Sequence, residues 1–430
     1  MRGLPRLMRS KTSKQHASCV DGFPRLMCSK TPKRPLASTR SADLVRPGVY
    51  KSPITSQLWA DRENFAKGTD ATAAVVFPIT KRPSDSATSV TYAFSSDATL
   101  RDRYRSPYGA ARTGDLLEDM DALAGNTAFK HAHDDNPSTR PPLLVTASVD
   151  QIKQLACITL DKDVHLSGVV SWVGRSSMRI QIKLEQADRV AMGAAFTFVA
   201  RDRDTGKAVP INPLLPTTDE EKREFAECEE RVKRQKAAHT LSAEQELEAH
   251  RARDARVAQL LREAQPYLSM PSLAPADAAL MRGTQASNAL ICQPQQRNTA
   301  GRIFGGFLMR RAFELAYSTC YLFAGSRPIF EQVEHVSFRA PVDVGSLLRL
   351  SAQVVLTQPQ RAEPLITVDV TAVVARPEER LSVLSNTFTF TFSLSPDEMV
   401  RTGNVLVKAV LPSNSEEALR QLEVVELLRD

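Results

Sequence analysis

The chain reads as an α+β protein in which one unit occurs twice, each unit a long helix laid against an antiparallel sheet of about five strands. Three observations predict this. Each half contains one long apolar helical pattern entered through glycine. Each such pattern belongs with runs in which apolar residues alternate. The two helix entries also align with one another residue by residue.

Taken in order, residues 1–45 form a basic tail rich in Ser, Pro and Arg, with an internal repeat: "GLPRLMRSKTSK" from Gly3 and "GFPRLMCSKTPK" from Gly22. That composition fits an organelle transit segment, and the mitochondrial matrix is the expected address. Residues 46–84 are a leading segment whose "SPITSQLWADRENFAKG" stretch, from Ser52, is a docking candidate. The first domain, 85–212, opens with the β-like "VTYAF" and places a helix from about Gly114 to Phe129. It continues through the strands "LLVTASVDQI", "VHLSGVVSWVG", "SMRIQIKLEQ" and "GAAFTFVARD". Residues 213–284 hold a charged helical connector over 217–263, closed by Pro266, Pro271 and Pro275. The second domain, 285–397, repeats the order: the strand "ASNALICQP", a helix from Gly305-Gly306 to about Phe323, then "IFEQVEHVSFRAPV", "LLRLSAQVVLTQ", "LITVDVTAVVA" and "LSVLSNTFTFTFSL" as strands. Residues 398–430 are a C-terminal segment.

Composition excludes several functions. The chain has 430 residues, 42% hydrophobic and 24% charged, and no apolar run approaches the ~18 residues that span a bilayer, so no integral membrane segment is expected. The six cysteines are scattered without C-x-x-C spacing, which fits a reduced compartment. Of the net charge of +7, residues 1–40 hold ten Lys/Arg against the single acid Asp21, while the remainder carries 46 basic and 48 acidic residues. The positive charge therefore belongs to the tail, and nucleic acid is not an expected partner. "HAHDD", from His131 to Asp135, invites a zinc reading but sits where a solvated loop should follow the helix. No metal or cofactor is expected.

Setting "SPYGAARTGDLLEDMD" from Ser106 against "NTAGRIFGGFLMRRAF" from Asn298 pairs Ser106 with Asn298, Gly109 with Gly301, Gly114 with Gly306 and Asp121 with Phe313. The copies diverge in complementary ways: one keeps an acid, the other keeps the Asn and both glycines. A Gly-Gly pair opening a helix leaves its first N–H groups unshielded and favours developing negative charge there. On a helical wheel Asp121 lies at the edge of the arc formed by Leu117, Met120 and Ala124, whereas Asp115 and Glu118 point away, toward solvent. Glu314, the alternative acid, falls in a polar arc where an i to i+4 pair with Arg310 suffices. Asn298 on its own also fits a turn or cap.

The G-G-x-L-M run, "FRAPVDVGSLL", "GVVSWVGRSSM" and "LLEDMDALAG" together resemble the double-hotdog acyl-coenzyme A thioesterases, closest to the mitochondrial acyl-coenzyme A thioesterase 9 type. The likeness covers roughly 85–212 and 285–397. It implies a tandem hotdog, each unit a central helix wrapped by a curved sheet, the two pairing through a continuous sheet. It further implies that fatty acyl-CoA is hydrolysed to free acid and coenzyme A without a cofactor, at a composite site. Carried over, Asn298, Gly305 and Gly306 come from the second unit and Asp121 from the first, as general base or nucleophile. The opposite site, with Ser106, Thr113, Gly114 and Phe313, lacks both Asn and acid, so one working site per chain is expected. Gly174, Arg175, Ser176 and Ser177 are candidates for binding coenzyme A, with a plain strand connection as the alternative reading. A homo-oligomer, a trimer of double-hotdog chains, is the expected assembly. The chief alternative is a non-catalytic acyl-CoA-binding scaffold; no G-x-S-x-G elbow supports a serine hydrolase, and neither entry has the His of a dehydratase.

Overall fold

The computed structural model describes residues 52–66, 79–134, 139, 141–238, 243–298, 301–334, 336–403 and 406–428. The tail with its repeat lies outside the described residues, and Arg46–Asp430 form one compact unit.

The helices, in chain order, are α1 (Pro53–Ala66), α2 (Pro83–Ser86), α3 (Ala98–Tyr104), α4 (Thr113–Ala132), α5 (Asp219–Ala238), α6 (Ala243–Ser269), α7 (Gly305–Ala324), α8 (Pro396–Thr402) and α9 (Ser415–Leu427). The strands are β1 (Thr88–Tyr92), β2 (Leu143–Gln154), β3 (Val164–Val173), β4 (Ser177–Gln186), β5 (Arg189–Arg201), β6 (Ala278–Leu280), β7 (Ala286–Ile291), β8 (Pro328–Val333), β9 (Val336–Phe338), β10 (Leu347–Gln358), β11 (Leu365–Arg376), β12 (Leu381–Leu394) and β13 (Ala409–Leu411).

One sheet runs through both halves in the order β1-β3-β4-β5-β2-β8-β12-β11-β10-β7. The first half's strands wrap α4 and the second half's wrap α7, which is the tandem hotdog arrangement. The halves join where Ile152 pairs with Val333 and Val149 with Val336, so neither leaves its inner edge open. Alternation decides which side faces the helices. On β4, Met178, Ile180, Ile182 and Leu184 are fully buried while the residues between them turn to the outer face.

Three expectations need correction. The run "IFEQVEHVSFRAPV" is not one strand: β8 ends at Val333 and β9 begins at Val336, and each of the two pairs with both β12 and β2. The connector is two helices, and Pro266 lies inside α6 rather than closing it. Pro266 removes one hydrogen bond from the last turn only, and α6 packs Val257 and Ala264 inward beside α9, held also by Arg253–Glu423 at 2.8 Å. The helix expected over 114–129 spans Thr113–Ala132, and its polar arc is not solvated. Asp115, Glu118, Asp119 and Asp121 are each at most 2% exposed. The wheel places that arc opposite the helix's own sheet, but α7 and α1 cover it.

Candidate active site

The two helix entries fold alike. Ser106 N–H donates to the Ala110 carbonyl (2.9 Å) and Gly109 N–H to that of Ser106 (3.2 Å); Asn298 N–H donates to Arg302 (2.6 Å) and Gly301 N–H to Asn298 (3.0 Å). Gly109 and Gly301 take φ of +88° and +80°, where a side chain is strained and glycine is not. The equivalence of the entries in sequence is thus also one of backbone geometry.

Where α4 crosses α7, the Gly306 N–H at the mouth of α7 donates to Asp121 Oδ2 at 2.7 Å. The approach is close because glycine permits it. A methyl at Gly306 would come within 2.7 Å of the Phe304 ring and 3.0 Å of the Glu118 carbonyl, and one at Gly305 would lie 3.2 Å from both Asp121 Oδ2 and Phe338. Asp121 Oδ1 is buried and accepts no hydrogen bond among the described residues. Burial pushes the Asp121 carboxyl up to about 7, opposed by the Gly306 N–H and the nearby Thr146 hydroxyl, which favour the charged form.

The neighbouring acids are structural. Arg310 of α7 reaches Asp115 at 2.8 Å and Glu118 at 3.1 Å, and Arg112 reaches Asp115 at 3.0 Å. Burial nonetheless pushes Glu118 up to about 7 against the pull of Arg310. Asp119 accepts from Ser52, Thr55 (2.7 Å), Tyr92 (3.1 Å) and Tyr104 (2.5 Å), and burial holds it at about 6. Four carboxylates on one helix are tolerated because each meets a guanidinium, a hydroxyl or a backbone N–H, Asp115 and Glu118 sharing Arg310. Glu314 makes the pair with Arg310 (3.2 Å) and another with Arg311 (2.5 Å), and is a third exposed.

At the other crossing, the mouth of α4 meets an aromatic ring: a methyl at Gly114 would lie 3.3 Å from Phe313. A cavity of about 680 Å³ opens here, lined by Ser106, Thr113, Gly114, Phe313 and Tyr317 among others. At this crossing Phe313 stands where the other crossing has Asp121. Gly174, Arg175, Ser176 and Ser177 line a separate polar pocket of about 420 Å³ on the outer face of the sheet, beneath α5. Arg179 and Arg231 also line it, with Asp150, which pairs with Arg179 and lies 4.0 Å from Arg231.

The structure thus brings Asp121, Gly305 and Gly306 together. Asn298 Oδ1 accepts the Arg302 N–H at 3.1 Å, closing its own turn. His131 is not in a solvated loop: it is fully buried in the end of α4, with Nε2 2.8 Å from the Asn212 carbonyl. Burial lowers its pKa to about 4, which suits a neutral core imidazole. Asp135 lies outside the described residues, among which no group of three or more His, Cys, Asp and Glu is placed to hold a metal. The strand pattern gave no sign of Thr146. The β-bulge between Thr146 and Ser148 breaks the alternation that would have oriented it.

No family profile matches the chain. It is 45% identical over 400 residues to acyl-coenzyme A thioesterase 2, chloroplastic, of Humulus lupulus, covering 90% of this chain and 91% of that one. It is 35% identical over 316 residues to acyl-coenzyme A thioesterase 9, mitochondrial, of Mus musculus, covering 72% and 71%. Among solved structures it is similar to an acyl-CoA hydrolase of Staphylococcus aureus, 26% identical over 40% of this chain and 98% of that one, with a TM-score of 0.32. With 45% identity over 91% of one relative and 35% over 71% of another, the chain belongs to the acyl-coenzyme A thioesterase family.

Proposed function

We propose that the chain hydrolyses fatty acyl-CoA at the α4–α7 crossing, with Asp121 as the group that handles the proton. The observation that carries this reading is the carboxylate itself: one oxygen is held by the Gly306 N–H, the other is buried without a hydrogen-bond partner among the described residues, and burial pushes the pKa up to about 7. Such a group is matched to general-base work. Asp121 Oδ1 takes a proton from water as the water oxygen attacks the thioester carbonyl carbon. The C–S bond then breaks, and the coenzyme A thiolate leaves with the proton returned from Asp121.

Charge building on the carbonyl oxygen falls at the mouth of α7. There the Gly305 and Phe307 N–H groups flank Gly306 and have no acceptor within the helix. Asn298 is assigned to the water. Direct attack by Asp121, giving a mixed anhydride, uses the same geometry, and incorporation of ¹⁸O into Asp121 after one turnover distinguishes the two routes.

The pocket at Gly174–Ser177 is assigned to the phosphates of coenzyme A. Arg175, Arg179 and Arg231 outnumber Asp150 there, and hydroxyls supply further donors. Ser177 pairs with Val199 and Val199 with Val145, the neighbour of Thr146, so along the sheet two strand spacings, about 10 Å, separate Ser177 from Val145.

Thiol release from acyl-CoAs of graded length tests the assignment. Asp121→Asn should lose about 10²–10⁴-fold in turnover. A folded wild type that releases no thiol would instead favour acyl-CoA binding without turnover, the reading to which the cavity at the other crossing, where Phe313 stands in the place of Asp121, lends support.

Assembly as a trimer of double-hotdog chains is proposed from the exposed apolar residues Tyr321, Leu322 and Ile329; sedimentation as a monomer at micromolar concentration contradicts it. We place the chain in the mitochondrial matrix on the composition of its tail. Its relatives carry both mitochondrial and chloroplastic names, so a tail-fused reporter arriving in plastids overturns this. No helix among the described residues is long and apolar enough to cross a membrane.

A further inference from the structure

The leading segment does more than precede the first domain. Ser52 caps α1 by accepting the Thr55 N–H at 2.8 Å, and Ser52 and Thr55 both donate to Asp119, two residues before Asp121 on α4. One turn along α1, the Leu58 carbonyl accepts the Asn126 side-chain amide at 2.7 Å. Ile54 and Leu58 are at most 4% exposed, so α1 is built into the core. Its next residue, Trp59, meets the Phe304 ring edge to face, with centroids 5.3 Å apart. Phe304 is the residue that caps α7, and its ring lies over Gly306.

We propose that α1 is a third element of the active site and that Trp59 is a positioning residue, holding Phe304, and with it the mouth of α7, against Asp121. Two anchors fix α1 to α4, which carries the acid, and one aromatic contact ties it to α7, which carries the N–H donors. The relative placement of acid and donors, on which turnover depends, therefore passes through α1. It follows that proteolytic removal of the tail must stop short of Ser52 if the site is to survive.

The inference rests on the thioesterase reading for its catalytic meaning, and its test separates the two. In the full chain, Trp59→Ala is expected to lower kcat/KM at pH 8 by at least about tenfold. It should also move the acid limb of the pH profile down by about one pH unit, because water admitted beside Phe304 relieves the burial that raises the Asp121 pKa. Trp59→Phe, which keeps an edge-to-face partner, restores both.

The groups around Asp121 are Glu118 and Asp119 on its own helix, Arg310 and the Gly306 N–H from α7, and the Thr146 hydroxyl from β2. Glu118 also titrates near 7, so the Asp121 midpoint is read separately, by carbon-13 NMR of aspartate-labelled chain assigned with Asp121→Asn. A merely structural role for Trp59 scales the rate equally at every pH and leaves that midpoint in place, and this result overturns the inference. A wild type without thioesterase activity refutes the proposed reaction, while the Asp121 midpoint still decides whether Trp59 positions the site.

Discussion

Asp121→Asn should make the protein more stable while removing its activity, and the gain should depend on pH in a stated direction. The carboxyl is fully buried and its pKa rises from 3.8 to about 7. A rise of that size corresponds to about 4 kcal/mol of unfavourable free energy in the charged native state. The amide avoids that term and can still accept from Gly306, and because the shift is already net of that hydrogen bond, a stabilisation of about 4 kcal/mol at pH 8 is expected. The sign follows from linkage. The native state binds the Asp121 proton more tightly than the unfolded chain between about pH 4 and 7, so wild-type stability falls as pH rises through that window and levels off above it. The variant lacks this slope, and the two proteins should converge near pH 4. Glu118 and Asp119 are raised in the same sense, but they act in both proteins and cancel in the comparison. Urea unfolding of both proteins at pH 4.5 and 8, alongside thiol release, measures the effect. A variant less stable than wild type at pH 8, or a difference that does not change with pH, refutes the account of Asp121 as a charge held at the expense of stability.

Arg310→Met leaves Asp115 and Glu118, each 1% exposed, without their shared guanidinium and should lose about 3–5 kcal/mol at pH 8 by urea unfolding. Losing Arg310 raises Glu118 further, so the loss should shrink as pH falls and that carboxyl takes a proton; a pH-independent loss argues against the pairing. Gly306→Ala sets a methyl 2.7 Å from Phe304 and 3.0 Å from the Glu118 carbonyl, and turnover should fall by about 100-fold as the helices part, checked by steady-state kinetics on folded protein. Glu314→Gln should stay within about twofold of wild-type turnover and about 0.5 kcal/mol of its stability, because its pairs are partly exposed. A large loss of turnover there would move the acid from Asp121 to the other crossing.

The repeated helix-on-sheet unit was legible because its signals are local. Alternation on β4, glycine at the two entry turns and the long apolar faces of α4 and α7 each act within a few residues of where they are read. The pairing of Asp121 with the Gly306 entry came from the divergence of the two copies together with the family resemblance, with the helical wheel setting Asp121 at the edge of the apolar arc. Burial was not legible. The wheel of α4 turns Asp115 and Glu118 from its own sheet, and only the docking of α7 and α1 converts that face from solvent to interior. Thr146 and Trp59 escaped for a related reason, one re-aimed by a bulge and the other meaningful only through Phe304, 245 positions further along. The sequence by itself thus determined the units, their order and the two unequal helix mouths, because hydrophobic period and glycine conformation are properties of the local chain. Only the tertiary structure decided which carboxylates are buried, what each is bonded to and hence where each titrates, because desolvation and ion pairing depend on neighbours that the chain supplies from far away.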